Sequence, residues 1–317
     1  MSRPAGLLRA ARGGDRATLA RLLSIVERGG APGVELASLV GSGEGSYSVG
    51  LTGAPGAGKS TLTSALLGVI RSHDERVAVI AIDPTSPFSG GAILGDRLRM
   101  QDHALDDGVY IRSMATRGHL GGLSLAVPEA VRVLAAVGWP LVLIETVGVG
   151  QVEVEVAGSA DTCVVVVNPG WGDAVQANKA GLMEIADVFV INKADRDGTA
   201  QTRDDLEAML ELAARPDDGW RPPIVEAVAT ADRGVDDVWS AICAHRDAIE
   251  SSGELARRRA ARRVTELRNT VVRTLERVAR EGIGPTAWHA AESAVAAGTT
   301  SPAAAAESLL APLLDRS

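Results

Sequence analysis

The chain has 317 residues, 46% of them hydrophobic, and a net charge of -8. That length supports one large α/β domain with a smaller appendage, and the acidic balance argues against a general nucleic-acid or anionic-membrane binder. No apolar run approaches the roughly 20 residues that span a bilayer. Residues 1–45 read as helices ending in a glycine-rich linker: Leu19, Leu22, Leu23 and Val26 recur at helical spacing, and GGAPG and GSGEGS punctuate the end. The arginine-rich N-terminus lacks a continuous apolar core and carries Asp15, so an amphipathic helix is expected there and not a targeting peptide. From 46 to 250, strand patterns at 48–52, 77–82, 109–111, 141–144, 163–167, 188–191 and 224–227 alternate with helical ones. Their Val/Ile-rich runs suit strands covered on both faces. The expected fold is α/β: a doubly wound, mostly parallel sheet with ligand loops at the carboxyl ends of its strands. Residues 251–317 carry no strand pattern. A basic helix with Val264, Leu267, Val271, Val272 and Leu275 along one side precedes two shorter Ala/Leu-rich helices. Its arginines read either as a solvated face or as part of an arm for dimer contacts. The two cysteines, Cys163 and Cys243, read as buried thiols, which together with the N-terminus implies a cytoplasmic setting.

The stretch GAPGAGKST, 53–61, lies between an apolar strand and a helical run. Gly53, Gly58, Lys59 and Ser60 fill the pattern G-x-x-x-x-G-K-[ST]. Gly53, Ala54, Pro55, Gly56, Ala57 and Gly58 form a loop whose backbone can wrap a polyphosphate, with Thr61 in the opening turn of the helix beyond. Lys59 is expected to reach the β- and γ-phosphates, and the Ser60 hydroxyl to bind Mg2+.

Four further segments bear on the same site. NKAD follows the sixth strand pattern; its Asp195 carboxylate can accept from the ring N–H and amino group of guanine, which adenine does not offer. Asn192 is expected to brace neighbouring loops and the Lys193 stem to cover the base. Ala229, after the seventh strand pattern, sits where a backbone N–H can meet guanine O6, although Val228 replaces the serine usual before it. ETVGVGQ ends the fourth: Glu145 is a candidate Mg2+ ligand, and Gly148 can approach the γ-phosphate with its N–H. Val149 follows that glycine where small GTPases use glutamine, so slow intrinsic hydrolysis, completed by a partner or a rearrangement, is expected. Asp83 ends the second strand pattern and Asp96 opens the helix beyond the next loop. Both are candidates for holding Mg2+ or orienting water, against readings as an Asp-Pro turn and a helix cap. Lys59, Asp83, Asp96 and Glu145 are thus the candidate catalytic set. Arg117 and His119 lie in another polar loop, and 168–179 reads as a hinge able to change with nucleotide state.

GAPGAGKST, DPTSPFSGGAILGD, RSMATRGHLGG, ETVGVGQ, NPGWGDAVQANKAG and NKAD occur in the order found in the MeaB/ArgK GTPases, which the chain resembles over nearly its whole length. The resemblance implies a P-loop fold of the signal-recognition/MinD type and a homodimer joined through the C-terminal helices. It also implies GTP and Mg2+ as ligands, with Ser60, Asp83, Asp96 and Glu145 at the metal. The implied role is that of a chaperone gating cofactor loading and protection of an adenosylcobalamin-dependent acyl-CoA mutase, chiefly methylmalonyl-CoA mutase, with 168–179 relaying nucleotide state. Two rivals stand beside it: a metal-insertion GTPase of the urease or hydrogenase type, which would carry a Cys or His cluster that these five histidines and two cysteines do not form, and an ATP-dependent kinase or transport ATPase.

Overall fold

A computed structural model describes residues 4–41, 45–83, 103, 105–115, 123–146, 160–170, 184–212 and 219–314. Seven apolar runs form one sheet: β1 (Tyr47–Thr52), β2 (Val77–Asp83), β3 (Val109–Ala115), β4 (Leu141–Thr146), β5 (Thr162–Val167), β6 (Val188–Asn192) and β7 (Ile224–Ala227). The order is β3-β2-β4-β1-β5-β6-β7, and every strand pair is parallel. From β1 the chain runs to one side for β2, β3 and β4 and to the other for β5 to β7, so the strand order reverses beside β1. The crevice at such a reversal is where open α/β sheets take their ligands.

All residues of β1, β4, β5 and β6 are buried, as continuous Val/Ile-rich runs require when helices cover both faces. Alternation still sorts the side chains. Val164 and Val166 join a core with helices α4 (Lys59–Ser72) and α7 (Val235–Ser251), whereas Cys163, Val165 and Val167 pack with Leu206 of α6 (Thr199–Leu212). On the other strands, Ala78, Ile80, Val142 and Ile144 meet α5 (Leu123–Ala136) and the N-terminal helices α1 (Pro4–Arg12), α2 (Arg16–Arg28) and α3 (Gly30–Val40). Leu22 and Leu23 are fully buried there, so the N-terminal helices are packed against the sheet, as the apolar face of α2 implies. Asp15 caps α2, its carboxylate accepting from the Thr18 N–H at 3.0 Å.

Several strands outrun their sequence pattern. β3 continues to Ala115 because Arg112, which breaks the apolar run, is paired with Glu27 of α2 at 2.7 Å and donates to Ser24 at 3.0 Å. β4 continues through Glu145 and Thr146, both buried. Cys163 is buried as expected, but Cys243 on α7 is only half-buried. Among the described residues no helix is long and apolar enough to cross a membrane.

The arginine run departs most from its reading. The helix α8 (Glu254–Ile283) starts within the first compact unit, which ends at Arg262. Its first arginines reach two buried carboxylates that stand immediately before β5 and β6. Arg259 donates to both oxygens of Asp161 at 3.0 and 2.7 Å, and Arg262 adds a further contact to Asp161 and one to the Ala160 carbonyl. Arg258 donates to Asp187 at 2.9 Å. Each carboxylate also accepts the N–H of a neighbouring strand, Asp161 from Ser48 and Asp187 from Cys163. His245, fully buried on α7, lies between Thr162 and Asp187, with Nδ1 2.8 Å from Thr162 Oγ1 and Nε2 3.2 Å from Asp187 Oδ1. Arg258, Arg259 and Arg262 are therefore not simply a solvated face but part of the domain's own structure.

The second unit, residues 263–317, contains the rest of α8 with α9 (Pro285–Ala296) and α10 (Pro302–Leu314). Arg280 stacks over the Trp288 ring at 4.8 Å, joining α8 to α9.

Burial alone would raise the Asp161 carboxyl, but Arg259 and Arg262 outweigh it and hold it below the ordinary carboxylate range. Burial opposes ionisation of Asp187 too, and His245, Arg258 and the Cys163 N–H outweigh it in the same direction. A carboxyl depressed in the folded state stabilises fully above its unfolded pKa of about 4 and loses that stabilisation as pH falls through the lower folded value. Asp161→Asn, which leaves two half-buried guanidinium groups without their counter-charge, is expected to lower stability at pH 7 by about 2–3 kcal/mol in urea unfolding. Its stability curve should also fall less steeply below pH 4 than the parent's. Equal stability at pH 7 would show that water, not Asp161, balances these arginines.

Candidate nucleotide-binding site

The loop after β1 is built by close approach to its neighbours. Gly53 has φ +132° and its Cα faces β5, where a Cβ would lie 2.0 Å from the Val166 carbonyl oxygen. Gly58 has φ +93°, and a Cβ there would stand 2.3 Å from Asn192 Nδ2. No side chain larger than hydrogen fits either place, which is the physical reason for glycine at the two ends of the motif. Between them the Ala57 N–H donates to the Ala54 carbonyl at 3.1 Å, closing the turn. α4 then opens at Lys59, so the loop ends at a helix N-terminus, with the favourable dipole end and amide donors of such a position.

Lys59 is buried and folds back over the loop, its Nζ 2.6 Å from the Gly53 carbonyl and 3.1 Å from that of Ala54. Ser60 is buried beside it, and Thr61 follows half-exposed in the first turn of α4. Ala54 is half-buried, while Pro55 and Gly56 are exposed.

The base-side turn is tied to this loop by two side chains. Asn192, the last residue of β6, donates from Nδ2 to the Ala57 carbonyl at 2.9 Å and accepts the Ala229 N–H on Oδ1 at 3.2 Å. One buried amide thus joins the phosphate loop to the turn after β7. Lys193, held in the left-handed region at φ +60°, donates to the Gly56 carbonyl at 2.6 Å. The Ala194 N–H donates to the Ala227 carbonyl at 3.1 Å, which fastens the turn to β7. Asp195 is exposed at the surface of this turn. Ala229 is buried at the start of a short 3-10 turn, Ala229–Ala231.

Glu145 is 2% exposed and lies in β4 opposite Leu51 of β1 on one side and Ala81 of β2 on the other. This register brings the carboxyl ends of β1, β2 and β4 side by side, and Asp83 is the last residue of β2. The Asp83 side chain, Asp96, Arg117, His119, Gly148, Val149 and residues 171–179 lie outside the described residues. Among the described residues no cluster of three His, Cys, Asp or Glu forms a metal site.

Sequence reasoning missed Asp161 and Asp187 with their arginines. The signal was a repeated phrase, an Ala-Asp pair directly before an apolar strand at 160–161 and again at 186–187.

The comparisons agree with this geometry. The family model described as methylmalonyl Co-A mutase-associated GTPase MeaB matches residues 19–282. A putative GTPase of Pyrococcus abyssi is 51% identical over 261 residues, covering 81% of each chain. GTPase ArgK of Escherichia coli is 40% identical over 269 residues, covering 82% of this chain and 81% of that one. The mitochondrial methylmalonic aciduria type A homolog of Mus musculus is 38% identical over 216 residues, covering 67% of this chain and 52% of its own. A crystal structure titled LAO/AO transport system kinase superposes with a TM-score of 0.72 at 30% identity, covering 98% of this chain and 97% of that one. With a phosphate loop, an NKAD turn braced against it and a family match across most of its length, the chain is a P-loop GTPase of the MeaB family.

Proposed function

We propose that this GTPase is a chaperone of an adenosylcobalamin-dependent acyl-CoA mutase, methylmalonyl-CoA mutase first among them, gating cofactor loading and protecting the enzyme. The observation that carries the reading is the match over residues 19–282 to a family described as associated with that mutase. In this reading the P-loop backbone from Gly53 to Gly58 holds the phosphates. Lys59 exchanges its contacts with the Gly53 and Ala54 carbonyls for the β- and γ-phosphates. Asp195 accepts from guanine, while Asn192 keeps the base turn and the phosphate loop in fixed register. The Ala229 N–H is given to Asn192 Oδ1, so in this reading Ala229 serves the base pocket by placing that turn and not by donating to guanine O6.

The Ser60 hydroxyl and the Glu145 carboxylate, buried at adjoining ends of α4 and β4, are hard oxygen donors of the kind Mg2+ takes. With Asp83 and Asp96 they would hold the ion, which when bound neutralises charge on the phosphate oxygens.

A homodimer through the C-terminal helices belongs to the same reading. Val264, Leu267, Val271, Val272, Leu275 and Val278 of α8 are between 48% and 65% exposed, an apolar stripe along a helix with no buried residue. Its flanks carry both signs of charge, with Arg277 bonded to Glu281 and Arg280 to Glu276. A second copy of the same face matches such a mixed surface in an isologous contact.

Three measurements test these statements. Asp195→Ala removes two charge-assisted hydrogen bonds to guanine and is expected to weaken GDP binding by about a hundredfold or more with the melting temperature unchanged; undiminished affinity by titration calorimetry would remove Asp195 from the base pocket. The parent loaded with a non-hydrolysable GTP analogue is expected to co-elute with methylmalonyl-CoA mutase encoded in the same genome. Failure to associate in either nucleotide state would end the chaperone reading. Leu267→Glu with Val271→Glu is expected to convert a dimer into a monomer in sedimentation while leaving GDP affinity intact, and a dimer that survived both changes would locate the contact elsewhere.

A further inference from the structure

The turn that carries Asp195 is fastened to the start of α6, and α6 to the turn after β5. The Thr199 hydroxyl shares its one proton between the carbonyls of Ala194 and Arg196, the two neighbours of Asp195, at 3.2 and 2.9 Å. One turn further along α6, Thr202 is buried, 3% exposed, and its N–H donates to the Gly198 carbonyl at 3.0 Å. Its hydroxyl oxygen accepts the N–H of Gly170 at 3.3 Å, across 32 residues of sequence. Gly170 is the third residue beyond β5, in the turn Asn168-Pro169-Gly170. Gly198 packs on the same turn, since a Cβ there would stand 3.8 Å from both Gly170 N and Pro169 Cβ. Among the described residues two contacts therefore join the turn after β5 to the base-side turn, and one of them, the Thr202 hydroxyl, is a directed polar bond.

We propose that Thr202 is a positioning residue that transmits occupancy of the base pocket to the turn after β5. The inference rests on Asp195 binding guanine and goes beyond it. When a base engages Asp195, the 193–198 turn is ordered. Thr199 grips the carbonyls on either side of Asp195, so the first turn of α6 shares that ordering. The Thr202 oxygen then holds its place opposite Gly170, and the amide there is better protected. Base recognition and the conformation of the loop that starts at Asn168 are in this way biased by one shared element, the kind of coupling that a chain of packed hydrogen bonds carries. Thr202 touches neither nucleotide nor phosphate, so it acts through Gly170.

The test reads the Gly170 amide directly. Labelling the full chain with carbonyl-13C proline and 15N glycine leaves three signals, from the pairs Pro32–Gly33, Pro55–Gly56 and Pro169–Gly170. A Pro169→Ala sample identifies the third by its loss. Amide exchange is measured without nucleotide, with GDP, and with inosine diphosphate, which lacks the amino group that Asp195 accepts. In the parent, GDP is expected to slow Gly170 exchange, and inosine diphosphate to slow it less. In Thr202→Val, exchange in the GDP state should be about fivefold faster, the worth of one ordinary hydrogen bond, and no longer sensitive to nucleotide. GDP affinity should stay within about twofold in that variant. Thr202→Ser, which keeps the hydroxyl, should restore the response. Parent protein that binds GDP without a change at Gly170, or Thr202→Val that keeps the full response, overturns the inference alone. Parent protein that does not bind GDP overturns the base-pocket reading together with it.

Discussion

One buried amide sets the geometry on which the site depends. A nucleotide site must hold phosphates and base at a fixed separation, yet the elements that grip them are far apart in sequence. Asn192 closes that gap with two bonds of opposite sense, giving an N–H to the Ala57 carbonyl and taking one from Ala229. Aspartate at that position could accept but not donate, and leucine could do neither. Because the side chain is buried, either loss would leave a backbone group without a partner, which is more damaging than the loss of a solvent-exposed bond. Gly58 belongs to the same constraint, since its missing Cβ is what lets Asn192 approach the loop.

Around that bridge the sheet divides its work between its two ends. The carboxyl ends of β1, β4 and β6 carry the phosphate loop, Glu145 and the base turn. The amino ends of β5 and β6 carry Asp161 and Asp187, each bonded to the next strand and to arginines of α8. Groups at the first end range from the buried Lys59, Glu145 and Asn192 to the exposed Asp195. Groups at the second are buried, charge-balanced and engaged with one another, so they hold the strands in register while leaving the ligand end to chemistry.

How much of this could be read in advance follows from the physics of each signal. The strands were legible because a strand covered on both faces needs a continuous apolar run, and β1, β4, β5 and β6 supply one. Their ends were less legible: β3 runs past Arg112 because a partner on α2 neutralises that side chain, and no local pattern contains Glu27. The phosphate loop and the NKAD turn were legible because glycines at tight approaches and a polar cluster after a strand are local features. The roles of Arg258, Arg259 and Arg262 were not, since a run of arginines looks the same whether water or a buried carboxylate faces it. Thr202 was hidden for the same reason. A threonine near a helix start has several ordinary uses, and only the fold brings Gly170 to it.

The clamp on Asp161 also has a consequence for synthesis. Its counter-charges, Arg259 and Arg262, follow it by 98 and 101 residues. As the chain emerges from the ribosome, every strand of the sheet is available before the first turns of α8 are. Until those turns arrive, closing β5 against β1 buries the Asp161 carboxylate with the Ser48 N–H and hydroxyl as partners but without a counter-charge, which is costly. Closure of this end of the sheet is therefore more favourable once residues 259–262 have been made, and the last part of the domain to appear is the part that stabilises the middle of it.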